Sequence, residues 1–290
     1  MPNHYVTVDE LKESAPDGMT GSNTDYDEAF FRLARTLSRW IDNHTQRHFY
    51  PELATRYFDG KGDTELYIDD LIEITSVSFS EDDGSTYTVY AATDYIAMAG
   101  DNYNSKGSYN KLEIAVNGDY STFPPGQKSI KIVGVWCKAD DRDRVFEDTG
   151  DEVENNPLAA DGAELTVNDV DGADLWGVTP LVSPGQLLQI ESEYLEVTAT
   201  DTTGNTAAIV RGVNGTTAAA HVQNIQVDKF MPPEPVKQAC IIQAIHQFKR
   251  GQAGFGDAEA LPDLGRIMHI KTVDPEALNL LAPYVKLGFG

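Results

Sequence analysis

Apolar residues in this chain follow two different periods, and these divide it into segments. Tyr5-Val6-Thr7-Val8 reads as a short extended arm, Asp9-Glu10-Leu11-Lys12 as a helical turn, and Ala15-Pro16-Asp17-Gly18 as turn chemistry. Tyr26, Phe30, Leu33, Leu37, Trp40 and His44 then recur at three- and four-residue steps, the period of a helix with one buried face. Ser22 and Thr24 are its candidate N-caps, each with an acid three residues on, and Pro51 ends it after about His48. Residues 54–136 switch to period two. Ala54–Phe58, Leu66–Ile68, Ile72–Phe79, Tyr87–Tyr90, Leu112–Ile114 and Ile130–Trp136 read as strands, with turn signals at Asp83-Gly84 and Asn117-Gly118. From Asn156 to Val227 the chain is rich in Gly, Thr, Val and Ala and offers only strands. Prolines at 232, 233 and 235 open an apolar helix over Val236–Phe248, broad enough to bury more than one face. Lys249-Arg250-Gly251 closes it. A glycine-rich link and an irregular segment follow, then a short helix from Asp274-Pro275-Glu276 over Leu278–Leu281. This order predicts an α+β fold carrying a separate all-β stretch.

Charge sharpens the division. The chain has 290 residues, room for two domains at roughly 150 residues each. Its 22 basic and 46 acidic side chains give a net charge of −24. Residues 138–230 hold 18 acids against 5 bases, over half of that charge, and read as an inserted acidic β module. Residues 1–137 and 231–290 form the remaining core. Such a surface repels a phosphate backbone, because DNA binding rests on Lys and Arg displacing counterions. No apolar run is long enough to span a membrane, and the start lacks the basic and apolar regions of a secretory signal. Two widely spaced cysteines, Cys137 and Cys240, fit free thiols in a reducing cytosol.

No arrangement of nucleophile, base and oxyanion donors stands out, so no catalytic residue, cofactor or metal is expected. His44 and His48 have i, i+4 spacing, but two ligands do not make a metal site. Asp141 and Asp143 start like a calcium loop, yet Val145 sits where the next ligand belongs. Asp169–Asp174 lacks the spaced glutamate. Gly251–Gly256 follows a helix rather than preceding one, which excludes a phosphate loop. Arg32, Arg35, Arg39 and Arg47 lie along the first long helix. They form either a solvated face with ordinary ion pairs or a contact with an acidic neighbouring subunit.

Several segments, in order, resemble the head–tail connector (adaptor) proteins of long-tailed bacteriophages. Ile41-Asp42, Thr45, Arg47 and Phe49 are similar to the end of that family's long helix. Thr55–Gly60 with Leu66–Leu71, and Val133–Trp136, resemble the strands that follow. Pro235–Ala239 with Phe248–Arg250, and Asp274–Leu278 through Leu281–Tyr284, resemble its last helices. Residues 138–230 depart from the family, whose strand leads almost directly into the helix. Arg211–His221 resembles a recurrent motif of small β modules in phage structural proteins, with Asn214-Gly215 as a tight turn and His221 as a packing or hydrogen-bonding residue. The resemblance implies a helical connector core with a short-stranded antiparallel sheet, plus the inserted all-β domain. It also implies a non-enzymatic virion protein: a homo-oligomeric ring, dodecameric in the family, fixed beneath the portal protein in the neck. That ring contacts stopper or tail-completion proteins and extends the channel through which DNA passes without specific binding. The apolar tail Tyr284, Val285, Leu287 and Phe289 is then expected to dock on the portal. The alternatives are another neck protein (stopper or tail-completion) and a calcium-stabilised adhesion or carbohydrate-binding protein.

Overall fold

The computed structural model describes residues 3–15, 24–100, 105–252, 258–261, 266–269 and 272–286. The chain divides into two units. Unit 1 comprises residues 1–47, 148–213 and 218–290, and unit 2 comprises 48–147 and 214–217.

Unit 2 is an antiparallel sheet built from the period-two segments. Its strands are β1 (Glu52–Gly60), β2 (Glu65–Phe79), β3 (Thr88–Val89), β4 (Tyr95–Met98), β5 (Tyr109–Ile114) and β6 (Gly126–Trp136). They run in the order β1-β6-β2-β5-β4, with β3 on β2. β6 runs between β1 and the long central β2, and Gly134 lies opposite Ala54 on one side and Ile74 on the other. A Cβ at Gly134 would stand 2.2 Å from the Glu73 carbonyl oxygen, so only glycine fits this close approach. The buried face gathers Leu66, Ile68, Leu71, Val77, Leu112, Phe123, Ile130, Ile132 and Trp136. Phe79, Tyr90 and Tyr120 pack tilted and edge-to-face with ring centroids 4.7–4.9 Å apart, and the Asp94 carboxylate ties its loop by accepting from the N–H groups of Ala91 and Asp119. Asn214–Thr217 also belongs to this unit. The Leu53 N–H donates to the Asn214 carbonyl at 2.9 Å, and Gly215, with φ +83°, leaves no room for a side chain against Leu53.

Unit 1 combines helices with a second sheet. The helices are α1 (Val8–Ser14), α2 (Asp27–Thr45), α3 (Glu234–Gln252) and α4 (Pro275–Leu281). Thr7 and Glu10 form a reciprocal capping box that starts α1. Tyr26 occupies the α2 N-cap without a side-chain hydrogen bond. Thr24 is exposed before it, and Ser22 lies outside the described residues. Phe30, Ala34, Leu37, Ile41 and Thr45 form the buried face of α2, and Phe30 meets Phe248 of α3 at 4.8 Å. Burying a side chain such as Phe30 or Leu37 contributes about 1.5–3 kcal/mol, far more than the missing cap forgoes. The second sheet has β7 (Phe146–Glu152), β8 (Glu164–Thr166), β9 (Leu187–Ile190), β10 (Glu193–Asp201), β11 (Thr206–Val210) and β12 (Gln226–Phe230), ordered β7-β12-β9-β10-β11-β8. Its core includes Val153, Leu165, Leu188, Ile190, Leu195, Val197 and Ile209. A hairpin of β13 (Ala258–Leu261) and β14 (Arg266–His269) precedes α4.

The expected fold class is therefore corrected. Two six-stranded, mostly antiparallel sheets dominate, and among the described residues only α2 and α3 are long helices, so the fold is not a helical connector core with a short-stranded sheet. The helices sit in one unit with β7–β12, while residues 48–147 supply a sheet with its own core.

Residues 3–6 are all buried within unit 1. The Tyr5 N–H donates to Ser38 Oγ at 2.9 Å, and the Tyr5 hydroxyl donates to Asp42. The His4 ring lies 4.6 Å from Phe31, with Nδ1 3.2 Å from the Gly185 carbonyl oxygen. Burial raises the Asp42 carboxyl to about 6, although Tyr5 and Arg39 pull it back. A raised carboxyl pKa favours the protonated folded form. Its stabilisation is full below the ordinary 3.8 and is lost as pH rises through about 6. His4 has the opposite sign. Burial lowers it to about 4, so its contribution is full above 6.5 and is lost as pH falls through about 4. Comparing Asp42→Asn with wild type isolates Asp42. The melting-temperature difference is expected to grow in favour of the variant as pH rises from 4 to 7. Parallel pH profiles would refute this assignment.

Candidate functional site

The sequence-derived candidates separate by environment. Arg32 and Arg35 are exposed on α2, and Arg32 makes only an i, i+4 pair with Glu28 at 3.4 Å between two well-exposed side chains. Arg39 is engaged inside its own unit, with Asp42 at 3.0 Å and the Asn3 carbonyl oxygen at 3.2 Å. Arg47 is half-buried beyond the end of α2. Helical spacing suggested one basic face, but only Arg32 and Arg35 remain presented to solvent. Tyr284 of the tail is buried, and the Lys286 N–H donates to the Thr45 carbonyl at 2.8 Å. Val285 is half-buried, and Leu287 and Phe289 lie outside the described residues.

Acidic loops that suggested cation sites are satisfied by protein donors. Asp141 accepts from the Asp143 N–H, and both carboxylates lie 3.6 Å from Lys106 Nζ. Asp151 accepts from the N–H groups of Asn168 and Asp169 and from the Asn168 amide. His44 stacks on Trp40 at 5.5 Å, whereas His48 Nε2 lies 3.1 Å from the Trp136 carbonyl oxygen, so the two rings have separate packing roles. Among the described residues no group of three or more His, Cys, Asp or Glu is placed to hold a metal, and no helix is long and apolar enough to cross a membrane. Cys137 and Cys240 are free and buried. Burial pushes both thiols up, that of Cys240 to about 12, which leaves them poor nucleophiles.

The Arg211–His221 motif builds the densest polar cluster. Glu193 of β10 is 1% exposed. It accepts from Arg211 Nε at 2.7 Å and Nη2 at 2.6 Å, from the N–H groups of Gly212 at 2.9 Å and Ala219 at 3.0 Å, and faces His221 Nε2 at 2.8 Å. His221 Nδ1 meets Glu191 at 2.7 Å. Arg211 spends its remaining donors on the carbonyl oxygens of Ala159 and Ala219. Every strong donor is consumed internally, so this cluster locks a loop and leaves no open position for a substrate.

Two surface features escaped the sequence reading. Leu175, Trp176 and Val178 stand 63%, 69% and 50% exposed on one short loop. A groove of about 360 Å³ runs along α3, lined by Ile241, Ile242 and Ile245 beside polar residues that include Gln238, Lys249 and Asp274. The signal for the loop was present, because Leu-Trp-Gly-Val interrupts an Asp- and Gly-rich stretch. The groove was foreshadowed by the apolar breadth of α3.

No protein-family model matches the chain, and no curated protein matches it. The arrangement of side chains therefore carries the functional argument together with the segment resemblance.

Proposed function

We propose that this chain is a structural protein of a bacteriophage neck that works by assembly, without turnover. It forms a homo-oligomeric ring, dodecameric as in the connector family it resembles, beneath the portal protein, and links head to tail. The observation that carries this reading is charge asymmetry. Exposed Arg32 and Arg35 stand on α2 of a chain whose net charge is −24 and whose residues 138–230 are strongly acidic. A basic face of one copy against an acidic face of the next is a head-to-tail interface, which closes into a ring when its rotation divides the circle. The acidic remainder lets DNA slide through the channel without adhering. Tyr284 is already buried in its own unit, so portal docking is assigned to Val285, Leu287 and Phe289.

Electron microscopy of the purified chain, alone and with portal rings, tests the reading. Rings with a central opening are expected, and Arg32→Glu with Arg35→Glu is expected to disperse them. A double variant whose rings persist unchanged would exclude this face as the interface. The dominance of two six-stranded sheets favours a second reading, a stopper or tail-completion protein of the same neck. Pull-downs distinguish the two, since a connector binds portal rings directly and a stopper binds only when the connector is present.

A further inference from the structure

The exposed Leu175–Val178 loop is held in shape. Asp174 is buried, and its Oδ1 accepts from the N–H groups of Trp176 and Val178, both at 2.8 Å. Its Oδ2 takes the buried Lys229 ammonium. The backbone closes with Asp174 N–H to the Val178 carbonyl at 2.9 Å and Gly177 N–H to the Asp174 carbonyl at 3.0 Å, while Gly177 takes φ +83°. Burial alone would raise the Asp174 carboxyl, but Lys229 and these N–H groups together hold it below its ordinary value. The unit thus fixes three apolar side chains in water. Presenting them pre-ordered lowers the entropy cost of burying them in a partner, and a tryptophan at such a tip is the residue type that most often dominates an interface.

The α3 groove supplies the complementary shape on the same chain. Ile241, Ile242 and Ile245 are half-buried, because the opposite side of α3 is already occupied by Ala239, Cys240, Gln243, Ala244 and Phe248 packed inside unit 1. Leu175, Trp176 and Val178 are not among the described residues that line the groove. Charge agrees with shape. The loop lies in the acidic stretch at 138–230, near Asp169 and Asp171, whereas exposed Lys249 lines the groove on α3; Lys237 of the same helix is already paired with Glu10. Asp274 also borders the groove, where it accepts from the Glu276 N–H and lies 3.8 Å from His246.

We infer that the Leu175–Trp176–Gly177–Val178 tip of one copy seats in the α3 groove of the next. This deepens the assembly reading above and rests on it. Knob and groove are built from different residues, so the contact is head-to-tail and propagates. Sedimentation of the full chain is the test. Trp176→Ala is expected to weaken self-association by about 30-fold or more, the loss typical of a central tryptophan. Ile242→Glu is expected to do the same from the other side. An equimolar mixture of the two variants retains one intact knob and one intact groove, and is expected to stop at dimers. Should Ile242→Glu fail to fold, Trp176→Ala at its exposed position decides alone. Assemblies that persist in Trp176→Ala overturn this docking and leave the ring reading standing. A mixture that stays monomeric overturns it too, and a wild-type chain that never leaves the monomer overturns both.

Discussion

Arg211→Met is expected to cost unit 1 about 3–5 kcal/mol, because it leaves a buried carboxylate without its cation. Glu193 is 1% exposed, and the Arg211 side chain bonds both of its oxygens. Removing the guanidinium also strips donors from the Ala159 and Ala219 carbonyl oxygens. Urea unfolding followed by circular dichroism measures the loss, and a cost under about 1 kcal/mol would sink the assignment. The same cluster predicts acid sensitivity. Burial alone would raise the Glu193 carboxyl, but Arg211, His221 and two backbone N–H groups override it and hold it at about 2, against 4.5 normally. A depressed carboxyl pKa contributes stability that is full above 4.5 and is lost as pH falls towards 2. Arg211→Met is expected to flatten that part of the profile.

Trp136→Ala carries the other large effect, in unit 2. The ring is fully buried at the end of β6, donates from Nε1 to the Ala54 carbonyl at 2.9 Å, and lies 4.5 Å beneath the Arg56 guanidinium. Truncating a buried Trp to Ala typically costs about 3–5 kcal/mol, from lost transfer energy and the cavity left behind. Trp136→Phe keeps most of the buried area and gives up the hydrogen bond, worth about 0.5–1.5 kcal/mol. Melting of the two variants is expected to show Ala well below Phe. Equal losses would mean that packing at this position contributes little.

Long periodic segments were legible in the sequence. The stripe from Tyr26 to His44 became α2, and the prolines before Val236 opened α3. The balance between helix and sheet was not, and β7 shows why. The strands of the acidic module were read from Asn156 onwards, yet Phe146–Glu152 is already a strand of the second sheet. Thr149 and Asp151 point inward there, where Thr149 Oγ1 donates to the Val227 carbonyl and Asp151 collects backbone N–H groups. Inward polar positions hide a period of two from any hydropathy pattern. The segment read as irregular before α4 likewise carries β13 and β14. The helical turn read at Asp9–Lys12 is the seven-residue α1, Val8–Ser14, and Thr7 and Glu10 spelled its capping box. At the surface, spacing grouped four arginines, but their presentation depends on the buried arm at residues 3–6, which claims Arg39.

Unit 1 is discontinuous in the chain, and this governs how it is made. Residues 27–45 leave the ribosome well before α3, yet the partner for Phe30 is Phe248 on α3, which begins roughly 190 residues after α2 ends. At about 5–20 residues per second that delay is roughly 10–40 s. Throughout it, the arm at residues 3–6 is at hand to pack on α2, but the side of α2 that meets α3 lacks its partner, and residues 48–147 emerge in the meantime. A nascent chain in this state carries apolar surface without its final partner until α3 arrives.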